Sequence, residues 1–236
     1  MQRNRLLLLA GAVGLAVVVV VVAVVLGSGG GSSPTTTTTT TASGGSSGPE
    51  AATIFNGVPQ RGDTLGKSSA PAVLTIYEDP QCPFCRQWDI DTLPTVVSQY
   101  VRTGRLQLRY RGIPIISENS LAGLAAIYAA GLQNKLWNMA VALYERQGEE
   151  GSGWITVPVI RDAAREIGAN ATKLLADADS KTVSAEVTAS AKDAASKKID
   201  STPTFVLQKT LGAAEQLNVS GLEPDQFTPS LDAALQ

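Results

Sequence analysis

Ala72-Val73-Leu74-Thr75-Ile76-Tyr77-Glu78-Asp79-Pro80-Gln81-Cys82-Pro83-Phe84-Cys85 is the stretch on which the reading of this chain turns. Its first six residues are apolar and β-rich, as in a central strand. The two cysteines that follow are the only ones in the 236 residues. A structural disulfide stabilises more as the loop it closes lengthens, so two cysteines this close gain little that way. At the start of a helix the same spacing suits redox exchange. One sulfur attacks, the other resolves, and the helix terminus favours the thiolate.

Composition narrows the alternatives. There is no histidine, which removes Ser-His-Asp triads, Cys-His pairs and every His-ligated metal site. Two cysteines cannot make a four-thiolate zinc site, and no dense Asp/Glu loop suggests a carboxylate metal site. The net charge of -2 leaves no basic surplus for nucleic acid.

The N-terminus reads differently from the rest. Arg3 and Arg5 precede Leu6 to Leu26, a run without a charged or polar side chain. As a helix it would extend roughly 30 Å, enough to cross a bilayer core. Basic residues before the span and none soon after predict a cytoplasmic N-terminus and an exported remainder. The alternative is a cleaved signal peptide. Against it, the apolar run is long and no small-residue cleavage site follows. From Gly27 to Pro49 the chain is Gly, Ser, Thr and Pro apart from Ala42, a composition that cannot bury apolar surface and predicts a disordered tether. Asn170-Ala171-Thr172 and Asn218-Val219-Ser220 match the N-glycosylation pattern, which has meaning only in a glycosylating pathway.

In the exported part, Ile54 to Val58 reads as a short edge segment and Pro59 to Pro71 as turns. A helix is predicted from Cys82, with Pro83 in its first turn where a missing N–H costs little. Pro94 should kink it, and Thr103-Gly104 should end it. Arg105 to Arg111 alternates as a strand, its arginines forming a solvated face. Helical segments are predicted over 117–133, 134–147, 157–168, 171–176 and 182–198, with Gly148 to Gly153 as a break. Thr204 to Leu207 and Glu215 to Ser220 read as a strand pair turning at Gly212, and Asp225 to Leu235 as a last helix. Strand, helix, strand, helical block, two strands and helix describe an α/β domain with a helical insertion.

These residues resemble the thioredoxin superfamily, and within it the DsbA-like thiol–disulfide oxidoreductases. Glu78 to Cys85 is similar to the strand-to-helix active site of that group. Ser201-Thr202-Pro203-Thr204-Phe205 is similar to its cis-proline loop. The block from about Ser117 to Ile199 sits where the group inserts helices. Gly57 to Gly62 and Leu65-Gly66 resemble the lead-in of membrane-tethered, actinobacterial-type members. The resemblance implies an α/β thioredoxin fold with an inserted α-helical domain, preceded by one transmembrane helix. The divisions are 1–27 for cytoplasmic N-terminus and anchor, 28–49 for linker, 50–116 with 200–236 for the thioredoxin-like domain, and 117–199 for the insertion.

The resemblance also implies roles. Cys82 is expected to be the exposed, attacking thiolate, and Cys85, one turn on, the buried resolving thiol, together forming a redox-active disulfide. Pro83, Phe84, Thr202 and Pro203 are expected to contact the substrate. Pro203 is either cis, turning the Thr202 backbone toward the disulfide, or an ordinary loop proline. Phe84 is either an apolar contact surface or packing. Trp88, Trp137 and Trp154 are expected in core or domain packing. Related proteins often carry a buried acid six residues before the first cysteine; Ile76 stands there. Glu78 and Asp79 are expected nearer the rim, Glu78 as a solvated charge or a proton relay. Neither metal nor cofactor is implied. The expected partners are reduced exported proteins and a quinone-linked membrane reoxidase, with the domain on the outer side of the cell membrane. The expected reaction is net oxidation of clients; the alternatives are a reductase or isomerase, or a redox-inactive binding module.

Overall fold

The computed structural model describes residues 50–236. The expected span Leu6 to Leu26 and the linker 28–49 lie outside the described residues. Among the described residues, no helix is long and apolar enough to cross a membrane.

The chain enters through a short helix, α1 (Glu50–Thr53), and a two-stranded hairpin, β1 (Gln60–Arg61) and β2 (Thr64–Leu65). The predicted edge segment 54–58 is therefore not a strand. Phe55 is buried against Trp137, with ring centroids 6.5 Å apart, and the Arg102 guanidinium donates to the carbonyls of Ile54 and Asn56. An apolar segment with its carbonyls held by a side chain needs no strand partner.

β3 (Ala72–Glu78) follows, then a continuous helical run over residues 83–101. That run comprises α2 (Pro83–Gln87), a π-helical turn (Trp88–Thr92), α3 (Leu93–Val96) and a second π-helical turn (Val97–Val101). The irregularity flanks Pro94, which cannot donate to the ladder. Gly104 ends the run at φ 78°, a left-handed value that glycine adopts freely. β4 (Gln107–Gly112) then pairs parallel with β3 in the register Ile76↔Tyr110 and Glu78↔Gly112.

Five helices fill the interval before the next strand: α4 (Asn119–Gly131), α5 (Leu136–Glu145), α6 (Val157–Glu166), α7 (Ala171–Ala178) and α8 (Lys181–Ser196). β5 (Thr204–Lys209), β6 (Ala214–Gln216) and α9 (Pro224–Leu235) close the fold. β6 is shorter than predicted because the chain leaves the sheet after Gln216 and runs to α9. The sheet order is β1-β2-β4-β3-β5-β6, with every pair antiparallel except β3 and β4.

One sheet face carries Leu74, Ile76 and Phe205 and packs on Trp88 and Phe227. Trp88 lies 5.2 Å from Phe205 and 5.7 Å from Phe227 between centroids. Tyr77 points the other way, into a small cluster with Ile113, Ala194 and Val206. Its hydroxyl donates to Asp193 of α8 at 2.5 Å. Asp193 also lies 3.8 Å from the Arg111 guanidinium, which pairs with Asp63 as well. Of the predicted solvated face, Arg105, just before β4, is exposed, whereas Arg109 and Arg111 are partly buried. Arg111 pins the helical insertion and the β1–β2 turn to the sheet, and Arg105 stacks 4.9 Å over the Tyr100 ring.

Candidate active site

The end of β3 and the start of α2 build the site. Cys82 is the N-cap of α2, with extended backbone (φ -71°, ψ 119°), and Pro83 occupies the first turn. The loop between them is held from inside. Asp79 is fully buried, and its carboxylate accepts from the N–H groups of Gln81, Ile115 and Ile116 and from Ser120 Oγ. Four donors satisfy a buried carboxylate, so Asp79 is a strut rather than a rim charge. The helical insertion adds a clamp. Gln147 Nε2 donates to the carbonyls of both Pro80 and Cys82 at 3.1 Å. Tyr144 Oη donates to Asp79 O, and Gln81 Nε2 donates to Ser117 and Ser120.

Both cysteines are free thiols. Cys82 is only 4% exposed, so the exposed thiol expected from the sequence is instead a recessed one. The wall that recesses it is the loop before β5, folded against the thiol by sheet pairing: Cys82 Sγ donates to Thr202 O at 3.3 Å. Cys85 is fully buried. The acidities of the two thiols are driven in opposite directions. The Cys82 thiolate accepts above all from the Cys85 thiol, and burial opposes that effect. Thr202 and the backbone N–H groups of Cys85 and Phe84 add to it, and the pKa falls from 9.0 to about 6. Burial pushes the Cys85 thiol well up, and its donation to Cys82 adds to this.

Glu78 is fully buried. It is neither solvated nor at the rim, because the last residue of β3 points to the core face. There it lies beside Asp89, also buried. Burial pushes the Glu78 carboxyl well up, and the charges of Asp89 and Cys82 add to this. Burial pushes Asp89 up as well. Neither carboxyl has a hydrogen bond of ordinary geometry to any described residue. Two such groups cannot both ionise in an apolar interior, so the pair holds a proton. Asp89 was missed in the sequence, although it stands four residues after Cys85 on one helix, a spacing that shares a face. Gln147 carried no local signal.

The expected substrate contacts gather on the outer side. Phe84 is 61% exposed at the helix start, and Pro83 beside it is exposed. The Thr202–Pro203 peptide is cis. Phe84, Thr202, Pro203, Leu217, Val219 and Leu222 line a groove of about 300 Å³. Trp88 and Trp137 are fully buried, as packing requires, and Trp154 is partly so.

Residues 60–218 match the model of a family described as Thioredoxin. The chain belongs to the thioredoxin family. It is similar to the probable disulfide bond formation protein D of Bacillus cereus, with 32% identity over 105 residues, 44% of this chain and 49% of the relative. It is also similar to the thiol:disulfide interchange protein DsbG of Escherichia coli, with 34% identity over 83 residues, 35% of this chain and 30% of the relative. The chain thus spans about half, or less, of the length of the curated relatives it matches. Among solved structures, BdbD of Bacillus subtilis in its oxidised form superposes with a TM-score of 0.64 at 18% identity, over 75% of this chain and 97% of that one. Wolbachia pipientis alpha-DsbA1 superposes with a TM-score of 0.63 at 16% identity, over 73% and 90%. At such identities the likeness is one of fold, and it includes the helical insertion.

Proposed function

We propose that this protein is a thiol–disulfide oxidoreductase that introduces disulfides into exported proteins through Cys82. The observation that carries this is the asymmetry of the cysteine pair: a thiolate-prone Cys82 beside the groove and a buried, proton-retaining Cys85. In the oxidised protein a client thiolate attacks the Cys82 sulfur. The Cys82–Cys85 bond breaks, and Cys85 leaves with the electron pair and takes a proton that the Glu78–Asp89 pair relays from solvent, the pair keeping its own. A second client thiolate then attacks the client sulfur of the mixed disulfide and expels Cys82 as a thiolate. Two electrons pass from the client to the protein, and the client gains one disulfide. Reoxidation needs an acceptor of two electrons, for which a quinone-linked membrane protein is the proposed partner. Export and anchoring by Leu6 to Leu26 belong to the same proposal, because disulfides persist outside the cytoplasm.

A second reading runs the exchange toward reduction or isomerisation. The similarity to a thiol:disulfide interchange protein favours it. Two measurements decide. Oxidised protein mixed with a reduced two-cysteine peptide should return peptide disulfide and protein dithiol in equal amounts, and Cys82→Ser should abolish both. Thiol trapping in cells should find Cys82–Cys85 mainly oxidised; a mainly reduced pair would move the assignment to a reductase. Alkaline washing should leave the protein in the membrane fraction, and release into the wash would refute the anchor.

A further inference from the structure

We propose that the pole of the domain opposite Cys82 docks on a membrane surface of anionic phospholipid, with Leu211 at its tip. The proposal goes beyond the exchange chemistry and assigns a second surface together with its partner.

Three observations lead to it. First, cations gather at that pole. Lys209 pairs in register with Ala72 at the start of β3, whereas Glu78 and the cysteines lie at its far end. Arg105 and Lys209 line one groove with Pro71, Ala72 and Leu235. A Cβ on Gly104 would stand 3.2 Å from Lys67 Cδ, so the Lys67 side chain lies over the turn between Arg102 and Arg105. Lys67 and Arg61 line a second groove with Gln107, which is level with Val73. Arg61, Lys67, Arg102, Arg105 and Lys209 are all exposed. Asp232, 3.4 Å from Arg105, and Glu215, which shares a groove with Lys209, offset part of this charge. The cations stay in surplus there, although the whole chain carries a net charge of -2. Second, Leu211 is fully exposed in the turn after β5. It projects beyond this end of the sheet, because Thr210 next to it donates to Pro71 O. Third, the Arg102 guanidinium holds the carbonyls of Ile54 and Asn56. The chain arriving from residue 49 therefore joins the fold within a few residues of the patch. On the proposed reading of Leu6 to Leu26 as an anchor, residues 28–49 are all the reach the domain has from the bilayer, roughly 25 Å as a coil.

These features select the occupant. The cations sit on exposed side chains spread over several segments of the pole, which suits a plane of charged headgroups rather than one small anion. Long basic side chains beside an aliphatic tip match an interface where headgroups meet acyl chains. Each basic residue close to an anionic surface strengthens adsorption roughly fivefold. A surplus of a few charges therefore gives weak, reversible docking. The docked domain holds Cys82 away from the bilayer, by roughly 20 Å along β3 alone, and presents it to clients. Exchange with the proposed membrane-embedded reoxidase needs the undocked domain, so a weak contact serves both steps.

Full-length protein carrying Cys82→Ser, Cys85→Ser and Leu211→Cys, labelled with a fluorescent dye at the new thiol, provides the test. It is placed in vesicles of phosphatidylcholine, with or without added phosphatidylglycerol, that contain a quenching spin-labelled lipid. Quenching should be several-fold stronger in the anionic vesicles. It should fall to the neutral level at about 1 M salt, where the Debye length is about 3 Å. The double reversal Lys67→Glu, Lys209→Glu should have the same effect. A dye on Ile115→Cys, an exposed position at the active-site end, should be quenched weakly in both. The salt comparison needs no charge variant, so it stands even if the reversal fails to fold. Equal quenching at position 211 in both vesicles, quenching that survives salt, or stronger quenching at position 115 would overturn the docking proposal. Displacement by millimolar inorganic phosphate at constant ionic strength would mark a small-anion site and overturn it as well. Alkaline washing reads the anchor separately: protein that the wash releases, but that shows the composition-dependent quenching beforehand, refutes the anchor and supports the docking.

Discussion

The thiol of Cys82 lies 3.3 Å from the carbonyl oxygen of Thr202, although 120 residues separate them. The contact joins the start of α2 to the loop before β5 and fixes where an incoming sulfur can approach. It also sets the environment in which the Cys82 thiolate forms.

Alkylation of Cys82 in the reduced protein should follow a thiolate with a pKa of about 6. The rate should be flat above that pH and fall about tenfold per unit below it. Cys85 should stay largely unlabelled. The same lowered value stabilises the reduced fold. That contribution is complete above the unfolded value of 9.0 and is lost as the pH falls through about 6. Iodoacetamide kinetics from pH 4 to 9 with peptide mapping check this. A rate still climbing at pH 8, or label on Cys85, would contradict it.

Glu78→Gln should slow proton exchange at Cys85 and lengthen the life of a mixed disulfide on Cys82. It should also flatten the pH dependence of stability. A buried acid whose folded pKa is raised stabilises below its unfolded value of 4.5 and loses that contribution as the pH climbs toward the folded value. The variant should therefore be the more stable of the two at pH 7, where the native carboxyl opposes folding. At pH 4 the two should be close. Urea unfolding at both pH values gives the comparison, and an equal difference at each would count against the assignment.

Gln147→Ala should loosen the active-site loop. It removes two hydrogen bonds to the carbonyls of Pro80 and Cys82 and should cost about 1–3 kcal/mol in unfolding free energy. The Cys82 thiolate should become less stable as its N-cap geometry relaxes, moving the alkylation midpoint upward. An unchanged midpoint would mean that the clamp holds only the fold.

Gly112→Ala should destabilise by about 1–3 kcal/mol through overpacking. A Cβ there would stand 2.2 Å from Leu124 Cδ2, and Leu124 is fully buried with no room to yield. Thermal unfolding measures the loss. A fully native melting curve would show that α4 can move away from the sheet.

Much of this was legible in local sequence. The period of two in β4 and the apolar run of β3 need only nearest neighbours. The Pro83 start, the Gly104 stop and the helical blocks follow from backbone chemistry, which acts over a few residues. The cysteine pair declared its chemistry by spacing.

What the sequence determined, then, was the order of elements and the reacting sulfurs, because both are encoded within a turn of helix or a stretch of strand. The tertiary structure decided the rest. Only packing of β3 on the helix from Pro83 turns Glu78 from a rim charge into a buried carboxyl beside Asp89. Only closure of the insertion brings Gln147 onto Pro80 and Cys82. Only pairing of β5 with β3 lays Thr202 against the thiol that it recesses. Burial and long-range hydrogen bonds depend on which elements meet, and that is a property of the whole fold rather than of any window of residues.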